Sequence, residues 1–305
     1  MTEAAIAPAR SNPLAAALGD IKLAHTVFAM PFAILGAALA FEPEPSAGRI
    51  AIVLALVVVC MIFARAWAML VNRLADAKFD ADNPRTAGRA VASGRLGAQQ
   101  GWAIALGAAA LFCGAAVLFW PLTGNPWPTY LCVPVLGFAA LYSYTKRFTA
   151  LCHVFLGAAL AVSPLAAGLA VRPEALADVT ALYWLAGFVV LWVAGFDVIY
   201  ALQDLDFDQG RGLHSIPSAL GWRGAVWVSR AMHAAAFASL VFSWRADDRH
   251  GVIYASGVAG VGLLLAAEHV TLARRGREGI PMVFFTYNGV ASLAVGAAGV
   301  LDLVV

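Results

Sequence analysis

The chain has 305 residues, of which 62% are hydrophobic and 12% charged, with a formal net charge of +2. An ordinary soluble domain carries roughly 25% charged residues, so this composition cannot cover a water-soluble surface, and the near-neutral balance offers nothing to a nucleic-acid partner. The chain must have the lipid bilayer as its solvent.

The opening "MTEAAIAPARSNPLAAALGD" has an early acid and no cationic stretch followed by an apolar run and cleavage site. It therefore reads as a cytosolic or interfacial lead-in over residues 1–21, not as a signal peptide. From 22 to 305, apolar runs of about 20 residues recur on short connections and predict a single all-α membrane domain. Spans are expected at 22–41, 50–71, 100–121, 128–144, 149–171, 180–203, 222–243, 251–273 and 282–304, which makes a bundle of nine transmembrane helices. "EPEPSAG", "PLTGNPWP" and "RPEALAD" are turn compositions that stop helices between spans. The four cysteines fall in apolar runs without a CxxC pair, so they read as small core residues.

With these spans, Arg10, Lys22, Arg73, Lys78, Arg85, Arg89, Arg95, Lys146, Arg147, Arg211, Arg223, Arg274, Arg275 and Arg277 fall on one side, 14 of the 20 basic residues. Arg49, Arg172, Arg245 and Arg249 fall on the other. The positive-inside rule then puts the N-terminus and the richer side in the cytoplasm.

On that side, acids concentrate in "VNRLADAKFDADNPRTAGR" (71–89) and "FDVIYALQDLDFDQGRGLHSIPSALG" (196–221). Asp76 and Asp204, like Asp80 and Asp208, are 128 residues apart, so two DxxxD pairs stand in register across the chain, as in a duplicated helix pair. At 100° per residue, Asn72, Asp76 and Asp80 advance by about 40° per step, with Arg65 about 20° from Asn72. Asp197, Tyr200, Asp204 and Asp208 share a second face, and Asp206 points away. Two such faces repel unless a cation lies between them, and carboxylates suit a hard ion such as Mg2+. Arg85 and Arg89 follow the helix-stopping Pro84, and Lys146 with Arg147 opens another connection. Metal and a ring of cations are what a departing diphosphate requires, so the expected substrate is a lipid diphosphate with its tail among the helices.

Lys78, Arg95, Arg223 and the 274–277 cluster read as topology anchors, and Asp82 and Asp206 as solvated bystanders. The six histidines show no metal-ligand spacing; Glu268 beside His269 reads as a local polar contact, and His153 and Ser163 as core residues that could line a cavity. A secondary transporter is the alternative from another class, but its charges should lie near the midplane on broken helices. A phospholipid head-group transferase would carry DGxxAR, which this sequence lacks.

"NRLADAKFD", "NPRTAGR" and "DVIYALQDLDFDQGRGLHS" resemble the two signature loops of the UbiA superfamily of intramembrane prenyltransferases, near its 4-hydroxybenzoate polyprenyltransferase branch. The resemblance runs from Lys22 through the last helix. It implies nine helices around a cavity facing the cytoplasm, set in a bacterial-type inner membrane, and transfer of a prenyl group from a polyprenyl diphosphate to an aromatic acid in quinone biosynthesis. It assigns Asn72, Asp76, Asp80, Asp197, Asp204 and Asp208 to Mg2+, and Arg85, Arg89, Lys146 and Tyr142 to the diphosphate and reacting end. Arg65 is assigned to the carboxylate of the acceptor, beside Asn72. Where many hydroxybenzoate enzymes have Asn-Asp, this chain has Asn72-Arg73, a pattern that resembles the futalosine-pathway subgroup and implies 1,4-dihydroxy-6-naphthoate, for menaquinone, as the alternative acceptor.

Overall fold

The computed structural model describes residues 12–21, 28–42 and 45–305; Arg10, Lys22 and His25 lie outside the described residues. Among the described residues there are helices and no strands. In chain order they are α1 (Pro13–Ile21), α2 (Met30–Ala40), α3 (Ala47–Ala75), α4 (Ala77–Asp82), α5 (Ala98–Thr123), α6 (Trp127–Thr145), α7 (Cys152–Val171), α8 (Ala175–Asp178), α9 (Thr180–Ala201), α10 (Leu205–Arg211), α11 (Ile216–Arg245), α12 (Val252–Arg275) and α13 (Asn288–Val304), the last entered through a π-helical stretch, Met282–Tyr287.

Seven of the described helices are long and apolar enough to cross a membrane: α3, α5, α7, α9 with its extension, α11, α12 with its extension, and the segment Met282–Val304. The expected spans at 22–41 and 128–144 correspond to α2, with 11 residues described, and to the 19-residue α6. The span expected to begin at 222 is the part of α11 beyond a kink. The helix starts earlier because Ser215 Oγ accepts the Ser218 N–H and Pro217 sits in the first turn, and Gly221 then bends it at φ +66°.

α9 is the axis. Leu182, Leu185, Phe188, Val189, Trp192 and Val193 are all buried on it, as expected of a helix that is apolar all round and enclosed by others. Phe188 stacks on Trp192 at 5.6 Å, and Phe32 of α2 meets both rings. Glycines allow the close approaches around this axis. A Cβ at Gly157 of α7 would stand 2.3 Å from the Val190 carbonyl oxygen of α9, and one at Gly36 would stand 2.4 Å from that of Pro164. Packing of this kind replaces the hydrophobic drive that is missing between helices in lipid.

α1, the second half of the lead-in, packs Ala16, Ala17 and Ile21 against Leu70, Ala90, Leu96 and Ala105. At the far end from the acidic segments, arginines close helix ends. Arg49 donates to the Val171 carbonyl at 3.1 Å, Arg172 to Ala40 at 2.9 Å and Arg249 to Leu39 at 2.8 Å. These satisfy carbonyls that a helix terminus leaves without partners, so three of the four basic residues on the poorer side have a structural task.

Gly157→Val forces a methyl into the Val190 backbone. It is expected to destabilise the bundle by about 1–3 kcal/mol, read as a lower melting temperature of the detergent-solubilised protein, whereas Gly107→Ala, at a glycine with open space around it, leaves it near the parent.

Candidate active site

The helix carrying the first acidic motif leaves regular geometry at Asp76 (φ −93°, ψ 6°), and that carrying the second leaves it at Asp204 (φ −100°, ψ 6°). The two acids 128 residues apart thus hold the same bridge conformation, a region where active-site residues recur. Each is followed by a short helix, α4 or α10, that carries the second acid. The even 100° progression expected through Asp80 and Asp208 is therefore interrupted once in each motif. Both acids nevertheless turn inward, 7% and 0% exposed. Asp206 points out, 77% of its side chain exposed, and pairs with Arg277 at 2.9 Å; Asp82 pairs with Arg211 at 2.7 Å, likewise in solvent.

A cavity of about 490 Å³ opens between the motifs, and Arg65, Asn72, Asp76, Asp80, Arg85, Arg89, Tyr142, Lys146, Asp197, Asp204 and Asp208 all line it. The structure therefore brings every residue expected at the site to one space. Its deeper wall is apolar, with Phe28, Leu156, Leu160, Val193, Phe196 and Phe284. Phe284 meets Phe28, Phe196 and Tyr200 at centroid distances of 5.7, 5.3 and 4.1 Å.

At the polar end each motif acid has a basic partner. Arg85 holds Asp204 in a two-pronged pair, with Nε 2.9 Å from Oδ1 and Nη2 on Oδ2. Arg89 Nη1 reaches both oxygens of Asp80, at 2.7 and 2.8 Å. Lys146 Nζ lies 2.7 Å from Asp208 Oδ1, and Arg147 lies 3.4 Å from Asp76. Burial opposes the charges on Lys146 and Arg85, but Asp208 and Asp204 outweigh it, and both pKa values stand above their ordinary ones. Burial, and then Asp80, push Asp76 above the usual carboxylate range despite Arg147.

Sequence reasoning left out several members of the site. Asn83, buried, donates to Asp204 Oδ1 at 3.0 Å and accepts the Arg85 N–H at 3.0 Å; in its Asn-Pro-Arg stretch only Pro84 carries a local structural signal. Arg73, also buried, donates to Asn72 Oδ1 at 2.8 Å, while Asn72 donates to Asp76 Oδ2 at 3.1 Å. His153, read as a core residue that could line a cavity, does both at 2% exposure; its partner was not foreseen, with Nδ1 2.7 Å from Asp197 Oδ2. A lone histidine at the second residue of an apolar helix does not announce its partner until the opposing helix is in place. Arg65 Nε is buried without a hydrogen-bond partner.

The acids and Asn72 offer the oxygen donors that a hard divalent ion takes. As arranged, among the described residues, no three His, Cys, Asp or Glu side chains form a ready metal cluster; the motif acids are engaged by Arg and Lys.

Residues 29–290 match the UbiA prenyltransferase family. A 4-hydroxybenzoate octaprenyltransferase from Alcanivorax borkumensis is 30% identical over 225 residues, 71% of each chain. One from Azoarcus sp. is 29% identical over 255 residues, 83% of this chain and 84% of that one. The apo structure of a UbiA homolog from Aeropyrum pernix K1 superposes with a TM-score of 0.81 at 30% identity, covering 92% of this chain and 98% of the other. A UbiA homolog from Archaeoglobus fulgidus bound to GPP and Mg2+ shares the fold, with a TM-score of 0.68 at 18% identity over 95% of this chain and 100% of that one. With these relatives, a bundle of which seven described helices are long and apolar enough to cross a membrane, and which gathers a charged cavity at one end, is an intramembrane enzyme. The chain belongs to the UbiA prenyltransferase family, and it is a prenyltransferase.

Asn83→Ala strips hydrogen bonds from Asp204 and from the Arg85 backbone and is expected to lower stability by about 1–3 kcal/mol, read by thermal unfolding in detergent. Asp82→Asn, which removes an exposed pair, is expected to shift it by less than about 1 kcal/mol.

Proposed function

We propose that this enzyme transfers a polyprenyl group from a polyprenyl diphosphate to a hydroxylated aromatic carboxylate, 4-hydroxybenzoate by similarity to its named relatives, as a step in quinone biosynthesis. The observation that carries the reading is the division of one cavity. Four acids and four bases crowd its mouth, an aromatic wall lies deeper, and Arg65 is half-buried on α3 with a donor unspent. Arg65 precedes Asp76 by 11 residues, about 16 Å along a helix, so a carboxylate held there would sit well inside the bilayer from the diphosphate.

Asp76, Asp80, Asp204 and Asp208, with Asn72 and Asp197 on the same cavity, would hold Mg2+ once the basic partners turn to the substrate. Bound there, the ion neutralises the charge of the leaving group. Arg85, Arg89 and Lys146 bind the diphosphate oxygens and stabilise pyrophosphate as the C–O bond breaks. Phe284, Phe196, Tyr200 and Tyr142 line the same cavity and surround the allylic cation with aromatic rings. The apolar wall holds the tail and excludes the water that would quench that cation. The acceptor ring, oriented through Arg65, attacks with its π electrons. We place the mouth on the cytoplasmic side of a bacterial inner membrane because the basic residues concentrate at that end.

Arg73 favours a second acceptor. It is buried against Asn72 at the position where the sequence departs from the hydroxybenzoate pattern, and 1,4-dihydroxy-6-naphthoate presents the same carboxylate and hydroxyl chemistry.

Membranes containing the enzyme, given labelled prenyl diphosphate and each acceptor in parallel, are expected to yield labelled aromatic product that a chelator abolishes and Mg2+ restores. No product from either acceptor would overturn the assignment. Asp76→Ala and Asp204→Ala are expected to cut transfer by about 100-fold or more while the protein still inserts, and Asp206→Ala to keep most of it. Parental activity in both Asp76→Ala and Asp204→Ala would remove the two motifs from the site.

A further inference from the structure

Residues 84–96, between α4 and α5, form no regular helix and carry Arg85 and Arg89. Their backbone N–H groups bond within the stretch or to Asn83 just ahead of it: those of Arg85, Thr86 and Ala87 reach Asn83, that of Arg89 the Thr86 carbonyl and that of Leu96 the Ala90 carbonyl. Arg95 Nη2 closes the loop further on the Gly88 carbonyl at 2.6 Å. Among the described residues, the Ala90 N–H is the backbone donor of this loop that reaches another part of the fold, Asp20 Oδ2 of α1 at 2.7 Å.

Ala90 is where the loop meets the packed bundle. It is fully buried, in one cluster with Ala16, Ala17 and Ile21 of α1, Leu70 of α3 and Ala105 of α5. Ala16, Ala17, Asp20 and Ile21 share one face of α1, so the packing that seats the helix also delivers the carboxylate. Asp20 is half-buried and lines the cavity, as do Gly88 and Arg89. By charge alone an acid at that place opposes a diphosphate; its hydrogen bond gives it a different task. A loop whose hydrogen bonds are mostly its own can shift as a unit, and the Asp20 bond with the Ala90 contacts ties the residue next to Arg89 to the bundle.

We propose that Asp20 is a positioning residue that holds the Arg89 backbone in place for the diphosphate. This rests on the reading of Arg89 as a ligand of that group. In the resting site Arg89 Nη1 lies on both oxygens of Asp80, so loading requires its side chain to exchange one anion for another. With Ala90 clamped, the exchange is a change of side-chain torsions. Without the clamp the loop must also be ordered, and the cost of that ordering is subtracted from binding. The lead-in helix thus serves the diphosphate site, although it contributes no ligand to it.

The test compares the full-length parent, Asp20→Ala and Asp20→Asn, purified in detergent with Mg2+, for binding of labelled geranyl diphosphate and for its transfer to each acceptor. Asp20→Ala is expected to raise both the Kd and the KM of the prenyl diphosphate by about 10-fold, with kcat and the acceptor KM unchanged. Asparagine can still accept the Ala90 N–H through Oδ1, so Asp20→Asn is expected to stay near the parent. Loss of a negative charge alone would tighten binding in both variants. A folding defect alone would lower kcat by reducing the active fraction and leave Kd and KM as they were. Either of those patterns, or an Asp20→Asn as weak in binding as Asp20→Ala, overturns the proposal. A parent that binds geranyl diphosphate but transfers it to no acceptor overturns the functional reading, and the binding comparison then decides the role of Asp20; a parent that binds none overturns both.

Discussion

Everything at the mouth of the cavity depends on neutralising carboxylates at the margin of a low-dielectric medium. Four acids brought within one space at the end of a helical bundle would repel one another and resist burial, and removal of one partner from such a pair costs several kcal/mol. The chain answers with four basic residues, one to each acid. The same cations that neutralise the acids are those we assign to the diphosphate, so the resting site and the loaded site draw on one set of charges. Binding of an anionic substrate then competes with internal pairs, and the acids freed by that exchange become the oxygen donors that a divalent ion seeks.

Beneath this polar layer the construction is that of a tightly packed membrane bundle. α9 runs buried through the middle, and the glycines at its neighbours let backbones come within contact of it. Rigidity there matters to chemistry, because α9 carries Tyr200 and Asp197 and leads directly into Asp204. The residues that define the cavity wall are held by the same aromatic packing that holds the fold.

The membrane class and the acids were legible in the sequence because both rest on local signals: long apolar runs, and aspartates at a fixed spacing where topology asks only for lysine and arginine. The spans lie on the helices to within a few residues over most of the described chain, and the start at 222 misses the first turns of α11, where Ser215 caps the helix ahead of the kink at Gly221. What was not legible came from contacts across helices. No proline or glycine marks the change of backbone geometry at Asp76 or Asp204. The hydrogen bonds of Asn83 and Arg73 depend on partners whose direction the spacing does not fix. His153 was indistinguishable from a core residue until α9 brought Asp197 against it.

The acids are duplicated across the chain, but the bases are not. Asp76 and Asp80 come from the first half, Asp204 and Asp208 from the second, while Arg85, Arg89, Lys146 and Arg147 all precede residue 150. The second half therefore brings Asp197, Asp204 and Asp208 to the cavity, and no arginine or lysine of its own for the last two. Since synthesis proceeds from the N-terminus, the cations are in place before the acids that need them emerge. Assembly of the later helices is thereby made conditional on the earlier ones: α9 and α10 can settle their carboxylates out of water only against a first half that has already folded.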